Sequence, residues 1–282
     1  MRVGRRIAEP DGESLLAIRE QALVAGVPEE QAARVAAEAW NEALERVGPR
    51  MLRTLHRTAP RMLRRERWAR QRFQRRIRRY WGRALDRYIM VTAAAEDCGR
   101  AFHVRNRTAA VAIDDYRFEA LTGLHARACR IAKEIDRLLS GGFAKGALAR
   151  CRTLHELAVT AEVIATYGRA EGDYADLTER FVRHEAVTAY KDVLEYQQHR
   201  DVLGYEPFDD AAVAALKAES DEVIRRFGAG YGRSYGWARP LFDKNDPTFR
   251  DLEQLAELSH LRSHYRWASA EIHAGAKEWA LN

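Results

Sequence analysis

Phe118, Leu121, His125, Ala128, Ala132, Ile135 and Leu139 recur at steps of three and four residues, the interval that lines up one face of an α-helix. No run in the chain alternates with period two for long enough to build a sheet. This spacing predicts an all-α fold, a multi-helix bundle with an N-terminal helical extension. The stop signals agree with it. Gly141-Gly142 ends the 118–139 stripe as a left-handed cap would. Residues 143–167 read as the next helix, closed by Gly168, and 176–203 as another. Residues 209–227 follow, with aspartates at the start and Gly228 after the end. Residues 228–247 are rich in glycine and aromatics and read as an ordered loop. A last helical pair covers 248 to about 279.

Upstream, residues 11–24 read as a short helix ended by Gly26. Pro28 sits where a first-turn proline is tolerated, and Glu29 and Glu30 behind it favour the positive helix end. That helix is expected to run to Val47 and to stop at Gly48-Pro49. A third segment reaches Pro60, and a long helix continues to about Cys98, with Met62, Ala69, Phe73, Ile77, Trp81, Ala84 and Tyr88 near helical spacing. Residues 99–112 read as a less regular stretch. The expected division is an N-terminal helical region, 1–112, and a C-terminal helical bundle domain, 113–282.

Hydrophobic residues make up 46% of the 282, enough for a sizeable core and too many for general disorder. No stretch approaches the roughly 20 apolar residues that span a bilayer. The start, MRVGRRIAEPDGES, is basic with no apolar run after it, so no secretory signal is expected. Cys98, Cys129 and Cys151 form no paired spacing, which argues against a disulfide framework and makes the cytoplasm the expected compartment.

Charge is distributed unevenly. Between Arg50 and Arg87 stand fifteen arginines and no lysine, against Glu66 and Asp86, so this segment carries +13; with a net charge of +6, the remainder carries −7. Arg50, Arg53, Arg57, Arg61 and Arg64 follow helical steps, and Arg72, Arg75, Arg76 and Arg79 extend the charge. Such a stripe suits a phosphate backbone or another polyanion. RNA is the natural candidate, because arginine both pairs with phosphate and stacks on bases. Trp68, Phe73, Tyr80 and Trp81 lie among the arginines. The competing reading makes these aromatics core and the arginines a solvated face, some of them pairing with the acidic remainder.

A second group of residues directs polar chemistry onto apolar faces. His125 lies in the 118–139 stripe. Arg152 and Glu156 are one turn apart with His155 between them, and His184 follows Phe181 by three. Tyr265, Ser269 and His273 share a face at i, i+4, i+8. Buried polar groups cost free energy unless they are paired, so these residues are expected to meet, either as a structural network or as a binding or catalytic pocket. The pairing expected is Arg152 with Glu156, with His273 and either His155 or His184 close by.

No metal or cofactor is expected. Glu257 and His260 match the Glu-x-x-His spacing of di-iron bundles, but such a site needs two copies. Arg150 with His155, and Arg266 with His273, fit loosely the Arg-x(4–6)-His signature of HEPN ribonucleases. In that chemistry histidine handles the 2′-hydroxyl proton and arginine stabilises the charged transition state.

The runs Ala149-Arg-Cys-Arg-Thr-Leu-His-Glu156, Arg180-Phe-Val-Arg-His184, Tyr235-Gly-Trp-Ala238 and Tyr265-Arg-Trp-Ala-Ser269, with His273-Ala274, resemble a bacterial domain of unknown function, family 5677, over about 116–276. The arginine-rich helices upstream are similar to those often found before this domain. The resemblance implies a helical fold and no established activity. The sharpest functional expectation is an RNA-directed role, with a HEPN-like ribonuclease in stress or phage defence as its furthest form. The alternative is a non-catalytic helical protein that docks on a protein partner or an anionic surface. The sequence sets no oligomeric state.

Overall fold

The computed structural model describes residues 15–270 and 272. Residues 11–14 of the first expected helix, His273, and the end of the last one lie outside the described residues. Every regular element among the described residues is helical, as the spacing predicts. Two compact units divide the chain, Met1–Phe73 and Gln74–Asn282.

The first unit begins with α1, Leu15–Val24, which Gly26 closes at φ +87°. Arg19 of α1 pairs with Glu29 at the start of α2, Glu29–Ala112, and Ala22, Ala32 and Ala36 are buried.

α2 departs from the sequence expectation in three places. It passes through Gly48-Pro49, through Pro60, and through the whole of 99–112. Proline lacks the amide proton that a helix interior uses, so the carbonyls of Glu45 and His56 lose their helical donors. Both residues are exposed, where water can serve those carbonyls. The reason for Gly99 is packing. A Cβ there would meet His125 Nε2 at 2.2 Å, so the glycine makes room for the imidazole of the next helix. His125 Nε2 in turn reaches the Ala95 carbonyl at 3.0 Å. The helix ends at Ala112, and Asp115 starts the next one by accepting the amides of Arg117 and Phe118.

In the second unit the C-terminal part of α2 lies along α3, Tyr116–Gly141. Tyr88 donates to the Ala132 carbonyl and Lys133 pairs with Glu96. Gly142 closes α3 at φ +87°. α4, Ala144–Tyr167, returns alongside α3. α5, Leu177–Leu203, and α6, Asp210–Phe227, form a second antiparallel pair. The glycine- and aromatic-rich loop contains two short 3-10 turns, Ala229–Gly232 and Gly236–Leu241. α7, Phe249–Leu255, and α8, Arg262–Ala270, complete the unit. Ile131, Val159, Val163, Ile164, Leu177 and Leu252 form the middle of the core. No described helix is long and apolar enough to cross a membrane.

Candidate functional site

α4 carries Arg152, His155 and Glu156, and α7 and α8 bring partners to them from distant sequence. Arg152 Nε donates to Glu156 Oε1 at 3.0 Å, the expected pair. The Tyr265 hydroxyl donates to the same oxygen at 2.9 Å. The Arg152 guanidinium lies 5.1 Å from the centre of the Tyr265 ring. Burial and then the Glu156 carboxylate push the Tyr265 phenol up, so it stays a donor.

Beside this group is one that the sequence reading missed. The Glu253 side chain is 1% exposed and both its oxygens are engaged. His155 Nε2 lies 2.8 Å from Oε1, and Arg262 Nη1 donates to Oε2 at 2.9 Å. The His155 ring also packs against Phe249 and Tyr265. A signal for Glu253 was present in the sequence. Phe249, Leu252, Glu253 and Ala256 fall at i, i+3, i+4 and i+7, and all four are buried. A carboxylate in that stripe must find hydrogen-bond donors.

The expected pocket residues therefore separate. His155 belongs to the closed Glu253 group. Glu156 belongs to an open one: its side chain is 34% exposed and it lines a cleft of ≈ 290 Å³. His184 does not touch Arg152, yet it lines this same cleft from α5. Its Nε2 lies 3.1 Å from the Tyr231 carbonyl and 2.9 Å from that of Arg233. Two carbonyls can only be served by an N–H, so Nε2 carries the proton. Burial pushes the His184 pKa down, which leaves Nδ1 with a lone pair. Ser269 turns its hydroxyl back to the Tyr265 carbonyl at 2.9 Å, one turn earlier, and does not join the carboxylates. His273 lies outside the described residues.

The Glu-x-x-His and Arg-x(4–6)-His spacings do not converge on one site among the described residues. Glu257 sits beyond α7 at φ +57° and is exposed, as is His260, so these two do not share a helix face. No group of three or more His, Cys, Asp or Glu capable of holding a metal occurs among the described residues. Arg150 pairs with Glu134 of α3 at 2.5 Å, whereas His155 faces Glu253, so the two have separate partners. Arg266 is exposed.

On α2 the arginines are solvent-exposed. In the first unit Arg61, Arg64 and Arg72 are exposed, and Arg72 lies 5.4 Å from the centre of the Trp68 ring. In the second, Arg75, Arg76 and Arg79 are exposed, and Arg78 pairs with Asp86 at 3.0 Å. Arg61, Arg64, Arg72, Arg75 and Arg79 have no ion pair among the described residues. Three of the four aromatics around them are not core: Trp68 is 59% exposed, Tyr80 76% and Trp81 63%, while Phe73 is half-buried.

A model of a family of unknown function (DUF5677) matches residues 118–279, from the third residue of α3 through α8. No curated protein and no solved structure matches the chain.

Proposed function

From the premise that the chain belongs to DUF5677, a family of unknown function, we propose that it binds RNA through the arginine-rich stretch of α2. The observation that carries this reading is the state of the arginines. They belong to a +13 segment in which the exposed guanidinium groups of Arg61, Arg64, Arg72, Arg75 and Arg79 have no ion pair among the described residues. A self-neutralised surface would have paired them with the acidic remainder. Unpaired, they attract phosphates, and each phosphate neutralised releases counterions. Exposed Trp68, Tyr80 and Trp81 favour unpaired RNA over duplex, because a splayed base can stack on them.

The test is binding of single-stranded RNA across a salt series. Affinity should fall steeply with salt. Replacing Arg72, Arg75, Arg76 and Arg79 by Gln should weaken binding to all sequences alike and reduce the log–log salt slope by roughly three, at about 0.7 per phosphate contact on a single strand. No affinity for RNA or DNA at low salt would overturn the reading.

Met51, Leu52, Leu55, Met62 and Leu63 are exposed on the same helix and favour the second reading, a non-catalytic protein that docks on a partner. Binding that is insensitive to salt and lost on Met62→Ser with Leu63→Ser would favour that reading over RNA. The ribonuclease form goes further and needs a cleaving pair. Since Arg150 and His155 are engaged elsewhere, it rests on Arg266 and His273, and RNA cleavage that survives His273→Ala would remove it.

A further inference from the structure

The Glu156 cleft has acceptors to spare. Glu156 Oε1 already receives Arg152 and Tyr265, and these two donors keep the carboxylate fixed in position. Oε2 has no hydrogen-bond partner among the described residues. His184 supplies a second acceptor, since its Nε2 proton is committed to the carbonyls of Tyr231 and Arg233 and Nδ1 has no partner among the described residues. Tyr235 and Trp237 line the same cleft as aromatic walls. Arg127, also lining it, is an exposed cation with no ion pair among the described residues. A volume of ≈ 290 Å³ stands at the lower end of small-molecule sites, about 300 Å³. That suits a single flat group better than a long ligand.

A ligand for this cleft must be planar enough for aromatic walls and must donate hydrogen bonds to two acceptors. It should also carry negative charge for Arg127. We propose that the cleft binds one unpaired nucleotide whose base carries an exocyclic amino group, with Glu156 Oε2 accepting from that amino group and Arg127 meeting the phosphate. Carboxylates accept from the cytosine amino group in base recognition generally. Uracil has a carbonyl at that position, and two oxygen acceptors facing each other repel. The proposal deepens the RNA reading and rests on it for the choice of ligand.

The experiment uses the full chain and 5′-monophosphates of cytidine, adenosine, guanosine and uridine, titrated calorimetrically. Cytidine monophosphate should bind tenfold or more tightly than uridine monophosphate, the ratio expected for one well-placed hydrogen-bonded pair. Glu156→Gln, which presents an amide donor, should bring the two close to parity with the melting temperature nearly unchanged. Arg127→Gln, at an exposed position, should erase the advantage of cytidine monophosphate over cytidine and leave the base preference intact. Equal binding of all four nucleotides, no binding, or a preference that survives Glu156→Gln overturns the proposal. Failure of the α2 reading looks different: nucleotides still bind with the base preference, while RNA oligomers gain no salt-dependent affinity over them. The reverse pattern, salt-dependent oligomer binding with no nucleotide binding, sinks the cleft and leaves α2 standing.

Discussion

Glu253 is the residue on which most depends for its size. A carboxylate this deep requires both of its partners, His155 and Arg262, because a buried charge without compensation is costly. Glu253→Ala should strand the His155 imidazole against Phe249 and destabilise the second unit by about 3–5 kcal/mol. The shift of the urea midpoint measures this, and a change below about 1 kcal/mol would show that the triad is incidental. His155→Phe with Glu253→Leu together should recover part of the loss, since apolar replacement of a whole buried pair is often tolerated. Glu156, whose side chain is 34% exposed against 1% for Glu253, should behave differently. One of its oxygens is already free of protein partners, so Glu156→Gln should affect binding more than folding. The sequence brought Arg152 and Glu156 together because they are one helical turn apart. It could not bring Glu253 to His155, which lies ninety-eight positions away.

At the scale of elements, α2 shows how packing alters the meaning of a residue. Two of its glycines look alike in sequence and should respond oppositely. A Cβ on Gly82 meets nothing within 4 Å, so Gly82→Ala should stabilise the helix by up to about 1 kcal/mol through propensity alone. A Cβ on Gly99 meets His125 Nε2 at 2.2 Å. Gly99→Ala should displace the imidazole from the Ala95 carbonyl and cost roughly 1–3 kcal/mol, as overpacking does. Thermal melts of the two variants check the opposite signs, and stabilisation by both would mean that the α2–α3 contact is loose. The same contact explains why 99–112 read as irregular. Gly99 looked like a breaker because its partner, His125, belongs to another helix. Pro49 and Pro60 misled for a related reason: local propensity puts a cost on an interior proline, but it does not say that an exposed helix will continue past it. The four helices from 116 to 227 were legible to within about two residues, because their caps, Asp115, Gly142, Gly204 and Asp209, act locally.

For the whole molecule, stability should depend on pH through His184. Burial holds its folded pKa below the ordinary value, with Lys191 adding to the depression and the two carbonyls opposing it. The unfolded chain titrates near 6.5 and so binds more protons than the folded one below that pH. Stability is therefore fully present above about pH 6.5 and is lost as pH falls through the folded value. Melting temperatures measured from pH 8 downward should drop in this window, and His184→Gln should flatten the drop. An unchanged profile in the variant would place the pH dependence elsewhere. What the sequence determined by itself was everything set by neighbours within a turn or two: the helical class, most stops in the second unit, the Arg152–Glu156 pair, and the concentration of positive charge between Arg50 and Arg87. Tertiary structure decided which polar groups are closed in and which face a cleft. It set His155 against Glu253, carried His184 to the cleft of Glu156, and left Trp68, Tyr80 and Trp81 exposed. The physical reason is that periodicity assigns a residue to a face of its own helix, whereas burial and partners depend on what packs against that face, and those atoms come from elements far away along the chain.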